Sequence, residues 1–266
     1  MKRHTNTWSI LPAVAILTLG MTPLAGWADD EHDEFDEAHI FFELNNTDGD
    51  LGIHSLIDGD AWKKLRIIDP NGKKLLDIKV KSNLKKQGLT EIFFESAEPP
   101  FESDDPEEVT LTPAEFFERF DEGTYEIKGE TTEGEKLVSE VEVTHVMPAP
   151  PIVEVNFMTA AEDCDAVLPV VMSGYPVVIS WLDVDTSHPE IGIPGRAITR
   201  VSYEVVVEID ETPFRSSIIL PPDANSIVVP EEILALGDEI KFEVLVREES
   251  FNQTAVESCF CIDACE

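Results

Sequence analysis

Basic residues are scarce in this sequence: 266 residues carry 19 Lys plus Arg against 54 Asp plus Glu, a formal net charge of −35. Such a surface offers no positive face to phosphates, which excludes nucleic acid and anionic membranes as main partners. The 6 histidines stand in no nucleophile motif and in no His-Glu-x-x-His arrangement, so serine-type and zinc-hydrolase chemistry lack a recognisable base and ligand set. The 14 glycines are mostly single turn residues, without a phosphate cradle or a dinucleotide fingerprint. Carboxylate pairs suited to glycoside hydrolysis are inevitable among 54 acids, and for that reason uninformative. Cysteine is limited to four residues, all in the second half.

What is present begins with an export signal. Lys2, Arg3 and His4 are followed by an apolar stretch from Trp8 to Leu19, and the small residues Gly26 and Ala28 precede Asp29-Asp30-Glu31. This is the layout of a signal peptide over residues 1–28, too short for a comfortable membrane span and lacking a nearby cysteine for a lipid anchor. Cleavage after Ala28 leaves 17 basic residues against 54 acids. The expected product is secreted or periplasmic, at the cell surface, with residues 29–37 as a disordered acidic lead-in.

Export makes disulfides the default state for Cys164, Cys259, Cys261 and Cys265. Three pairings exist. The preferred one joins Cys164 to Cys259 and closes a small loop between Cys261 and Cys265; Cys164 to Cys261 follows the same logic, and a soft-metal site is a third reading.

Composition changes across Met147-Pro148-Ala149-Pro150-Pro151, where 12 basic residues over 38–148 give way to 5 over 151–266. Prolines end sheet ladders, so 149–151 is read as a linker between two β domains. In the first, 38–148, Ile40 to Leu44 reads as a strand, Asn45 to Gly52 as a polar turn, and Asp69-Pro70-Asn71-Gly72 as the turn of a hairpin whose Leu76, Ile78 and Val80 face the core. Thr112, Pro113 and Glu115 form a capping box for a helix near 113–122, with Phe116, Phe117 and Phe120 as its apolar stripe. The stretch from Ser82 to Phe101 fits either a helix or a turn and strand. The absence of long crossover helices favours an immunoglobulin-like sandwich with one inserted helix.

The second domain, 152–260, with a cysteine-containing tail over 261–266, shows short alternating runs at 176–181, 201–209, 216–220, 226–229 and 240–247. Pro176 to Trp181, Val201 to Val207 and Leu236 to Val246 resemble strands of a fibronectin type III domain, with Trp181, Tyr203 and Phe242 as core markers and Asn252 in the following loop. The resemblance implies a spacer or binding module. Phe242 departs from the family's usual tyrosine, so that corner is expected to be held by packing alone. The whole chain is therefore expected to be all-β, with two immunoglobulin-like sandwiches.

The candidate metal ligands are Asn46, Asp48 and Asp50, with Asp58 and Asp60 of a repeated Asp-Gly-Asp completing a calcium site if the loop folds back. An EF-hand is rejected, because Leu51 and Ile57 stand where glycine and glutamate are required. The competing reading is a pair of Asx turns facing water. Nine basic residues between Lys63 and Lys86 suit either a solvated sheet face or contact with an acidic polymer or a second copy. The long 183–200 connection, with Asp183, Asp185 and His188, is a further candidate recognition loop. These features favour a non-catalytic structural or protein/glycan-interaction protein over a secreted carbohydrate-active accessory or weak hydrolase using first-domain acids.

Overall fold

The computed structural model of the chain describes residues 32–209 and 212–265; the expected signal peptide lies outside them. The first half is built from β1 (Glu37–Asn45), β2 (Asp50–Ile68), β3 (Lys74–Lys79), α1 (Ser82–Gln87), β4 (Leu89–Glu95), α2 (Pro113–Phe117), β5 (Gly123–Thr131) and β6 (Lys136–Val143). Strand β2 organises it. Its first part, Asp50 to Asp58, pairs with β1 and β4, and its last part, from Trp62 or Lys64 onward, pairs with β3 and β5. Register shifts on both sides fall between Asp58 and Lys64, where one strand passes from one layer to the other, as strands do at sandwich corners. The Asp-Gly-Asp at 58–60 is thus this strand corner and not a turn. Gly59 lets Phe35 pack closely there, since a Cβ would approach its ring to 3.2 Å.

Phe42, Trp62, Leu65, Tyr125 and Ile127 fill the space between the layers and expose no surface, each contributing about 1.5–3 kcal/mol of burial. The acidic lead-in is ordered from His32 onward, contrary to the composition. Asp33 bridges Leu137, its carbonyl accepts from the Val138 amide at 2.8 Å, and Phe35 is buried. One aromatic residue outweighs the surrounding charges because they remain in water while its ring enters the core. The helix has its capping box but stops at Phe117; Phe120 still packs on the core from the turn that follows. The open stretch after Ser82 resolves into α1 and then β4.

The second half comprises β7 (Val153–Val155), β8 (Met158–Thr159), β9 (Val170–Val171), β10 (Val178–Trp181), β11 (Arg200–Glu208), β12 (Arg215–Leu220), β13 (Ser226–Val228), α3 (Glu231–Leu234), β14 (Glu239–Glu248) and β15 (Gln253–Ile262). A four-stranded sheet, β13-β10-β7-β8, faces the β12-β11-β14-β15 part of a longer one. Trp181, Tyr203 and Phe242 are buried between these layers, with the Trp181 and Tyr203 rings 5.2 Å apart. The chain is all-β, with stacked sheets.

The halves keep separate cores but share a sheet. β1 pairs in parallel with β15, Glu43 opposite Gln253 and Asn45 opposite Ala255, so the order runs β12-β11-β14-β15-β1-β2-β5-β6. The prolyl segment is pinned to the second half beside this seam. Met147 and Pro148 accept from the His188 amide and the Thr254 hydroxyl at 2.7 and 2.8 Å, and the Ala149 amide donates to Thr186 at 3.0 Å. Proline ends the ladder here, but its carbonyl remains free to accept, so Met147 to Ala149 are held against the second half. Residues from His32 onward form one compact unit.

Candidate binding face at the strand seam

Strand alternation sends Phe42 and Leu44 inward, and Phe41 and Glu43 to the outer face of the long sheet. The same period on β14 turns Phe242, Val244 and Val246 inward and Glu243, Leu245 and Arg247 outward. Where β1 meets β15 these outward side chains line a groove of about 260 Å³, together with His54 and Gln253 and with Phe93 and Glu95 from β4. Phe93 is 54% exposed and forms the groove's open aromatic wall. Arg247 lies over the Phe41 ring at 5.6 Å and bonds the Gln253 carbonyl oxygen at 2.8 Å; Gln253 in turn donates to Glu43.

His54 sits at the floor, 4% exposed, with Nε2 2.9 Å from Glu98 and Nδ1 3.6 Å from Glu43. Burial opposes its charge, but the Glu98 hydrogen bond and the charges of Glu43, Glu98 and Glu95 outweigh it and raise the imidazole pKa. Gly52 leaves room for this arrangement, since a Cβ there would collide with the Glu98 carboxylate. Burial, reinforced by Glu98 and Glu95, raises Glu43 despite His54 and Gln253. Burial and then Glu98, Asp48 and Glu43 push Asp50 up to about 7. Burial and then Glu257, Glu43 and Glu208 push Glu243 up to about 7. The face carries more negative charge than its own cations neutralise.

The expected calcium ligands do not converge. Asn45 accepts from the Thr47 and Asp48 amides at 3.0 and 3.2 Å and donates to the Asp48 carboxylate at 3.0 Å, an Asx-type turn closing the β1–β2 hairpin. Asn46 instead meets His188 Nε2 at 3.1 Å, tying the 183–200 connection to the seam. Asp58 and Asp60 lie on β2, and eight residues of strand place Asp58 roughly 26 Å from Asp50. Among the described residues no group of three or more His, Cys, Asp or Glu is arranged to hold a metal ion, so this donor set does not fit calcium. The thiols are paired as Cys164–Cys259 and Cys261–Cys265, both on the outer face of the sheet's far end.

Sequence reasoning placed Glu43 on a strand, but it did not identify the groove or the place of His54 in it. The available signal was the outward alternation of charged residues on β1 and β14; their meeting depends on a parallel pairing across 210 residues. The expected core markers have structural roles. The Tyr203 hydroxyl accepts from the Val184 amide at 3.1 Å and anchors the 183–200 connection, while Phe242 packs on Phe260 with ring centroids 6.1 Å apart.

No family model and no curated protein matches the chain. Among solved structures it is similar to one described as showing host cell surface retention of a 1.5-MDa bacterial ice-binding adhesin, with 11% identity over 88% of this chain and 67% of that one and a TM-score of 0.26. A two-domain fibronectin type III segment from chicken tenascin matches at 10% identity over 86% and 99%, TM-score 0.26. A Ca2+-stabilized adhesin from an Antarctic bacterium matches at 12% identity over 86% and 50%, TM-score 0.27. Likeness at these scores does not bear on function. No helix among the described residues is long and apolar enough to cross a membrane.

Proposed function

We propose that this chain is an exported, non-catalytic interaction protein, two sandwich domains joined edge to edge, which takes a protein or glycan ligand in the groove at their seam. The observation that carries this reading is Phe93, a large aromatic ring left open beside donors of Arg247 and acceptors of Glu95 and Glu243. An apolar platform next to a few polar groups of both senses suits ligand binding. His54 has both ring nitrogens directed at carboxylates, which leaves none to activate a nucleophile. Two disulfides suit an oxidising compartment outside the cytoplasm, in keeping with a leader removed after Ala28 and a cell-surface location.

Calorimetric titration with neutral oligosaccharides and with peptides tests this. Phe93→Ala is expected to abolish binding without lowering the melting temperature, because the ring is exposed. Unchanged affinity would remove the groove from the reading.

A second reading is favoured by Glu243, whose carboxyl is held at about 7 in the same groove as Glu43. A carboxyl that keeps its proton near neutrality is suited to act as a general acid, as in a weak glycoside hydrolase. Release of reducing sugar that disappears in Glu243→Gln would establish that reading over the first.

A further inference from the structure

The structure divides the basic cluster of the first half into two groups. Lys63 and Lys64 bond Glu130 at 3.0 and 2.5 Å, and Arg66 and Lys74 share Asp77 at 3.3 and 2.8 Å. Lys73, Lys79, Lys81, Lys85 and Lys86 are all exposed, and none has a carboxylate within 4.0 Å among the described residues. These five ammonium groups keep no direct counter-charge in a chain that carries 54 acids. The lobe that carries these lysines reaches the core only through Leu76, Ile78 and Val80, and its lysines all face solvent. Helix α1 buries none of its residues, and Leu84 is 49% exposed. It is an exposed, basic patch on a very acidic protein.

The opposite charge is concentrated around the groove on the outer face. Glu43, Glu95, Glu204 and Glu243 line the groove beside Arg215 and Arg247, with Asp50, Glu98 and Glu257 around it; even with Asp50 and Glu243 only partly ionised near neutrality, the acids outnumber the two guanidinium groups. The lobe cannot reach this face within its own chain. Strand β4 starts at Leu89 beside α1 and ends at Glu95 in the groove, and its seven residues hold the two about 20 Å apart. A second molecule has no such restriction.

We propose that the lysine lobe of one copy docks on the acidic outer face of the next, a head-to-tail contact between copies of this chain. It rests on reading that face as a binding surface and names its partner. The two patches differ, so the contact is heterologous and repeats into open chains unless a rotation closes it. Charge complementarity fixes the pairing and suppresses other partners. Salt acts on it in two directions. At about 0.01 M the screening length is roughly 30 Å and the overall repulsion of two acidic molecules dominates; at about 0.15 M it is roughly 8 Å and the local contact decides; at about 1 M, roughly 3 Å, the contact itself is screened. Association therefore peaks at intermediate salt.

Sedimentation velocity of the chain as exported, from about 10 µM to about 1 mM at these three salt concentrations, tests the proposal. Wild type is expected to associate most at the middle one. Lys81→Glu/Lys85→Glu/Lys86→Glu and, separately, Glu95→Lys/Glu204→Lys are each expected to weaken self-association about tenfold or more, and mixing the two variants is expected to restore it through the swapped charges. A monomer under every condition, or association that ignores both variants, overturns the proposal. So does a monomeric wild type that binds dextran sulfate through these lysines, which would assign the lobe to a polyanion. If self-association fails while Phe93→Ala still abolishes ligand binding, the interaction function stands and only the identity of the partner falls.

Discussion

The fully buried carboxamide of Asn252 accepts a hydrogen bond from the Phe42 amide at 2.8 Å, joining the loop before the last strand to the first strand of the fold. Its nitrogen donates to the Thr144 and Val146 carbonyls at 2.8 and 3.0 Å. One side chain thus satisfies three backbone groups at the seam, which water would otherwise have to reach. Asn252→Leu leaves all three unpaired and is expected to destabilise the protein by about 3–5 kcal/mol. Urea unfolding monitored by tryptophan fluorescence measures this; a loss below the cost of one hydrogen bond would show that the seam is held elsewhere.

The carboxylates around the groove make stability fall as pH rises. Asp50 and Glu243 hold their protons to about 7 in the folded chain, against values near 4 when unfolded, so between those limits the folded state binds more protons and loses stability with increasing pH. His54, also raised, acts in the same direction: its contribution is complete below the unfolded value of 6.5 and is lost as pH passes the folded one. The melting temperature is expected to be higher at pH 5 than at pH 8. Glu243→Gln is expected to flatten that profile and to add about 1–2 kcal/mol at pH 8, a figure reduced for the solvent that still reaches the group. A profile that rises from pH 5 to pH 8 would contradict this arrangement.

Tyr125 donates its hydroxyl to the Asp121 carbonyl at 2.9 Å, four residues upstream at the entrance to β5. A tyrosine hydroxyl bonded back to the chain just before its own strand fixes that corner, and it lies in the first half. Burial, with the charges of Asp69 and Asp121, pushes the phenol up to about 12. Tyr125→Phe is expected to cost about 1–2 kcal/mol in urea unfolding, with one fewer tyrosine ionising late in an ultraviolet pH titration.

Calcium is expected to leave the protein unchanged. The oxygens of Asp48 and Asp58 are on opposite stretches of one long strand and its turn, and they share no centre. Calorimetric titration of wild type, Asp48→Ala and Asp50→Ala checks this; saturable heat lost in both variants would restore a cation site at the hairpin.

Local patterns in the sequence were readable where they depended on neighbours. The Asp69 to Gly72 turn closes as its residues dictate, with the Gly72 amide on the Asp69 carbonyl at 2.9 Å and Gly72 at φ +78°, and the capping box of Thr112 and Glu115 forms reciprocally. Reading failed where a distant partner overrides local chemistry. Asp58-Gly59-Asp60 has the composition of a turn, yet it continues a strand, because β1 and β4 pair with Asp58 on its two sides, pairing resumes at Trp62, and Phe35 lies against Gly59. His32 to Asp36 has the composition of a disordered tail, yet β6 offers an edge and the core takes Phe35.

By itself the amino-acid order determined the alternation that makes this chain all-β, the excess of acid, and which strand residues face inward, because each follows from side-chain chemistry at a spacing of a few residues. Only the tertiary structure decided that β1 lies beside β15, that Met147 to Ala149 are held against the second half, and that Glu43, His54, Phe93 and Glu243 line one groove. Those outcomes depend on which edges find one another across some 200 residues, and no local pattern encodes that choice, since any open strand edge offers the same row of donors and acceptors.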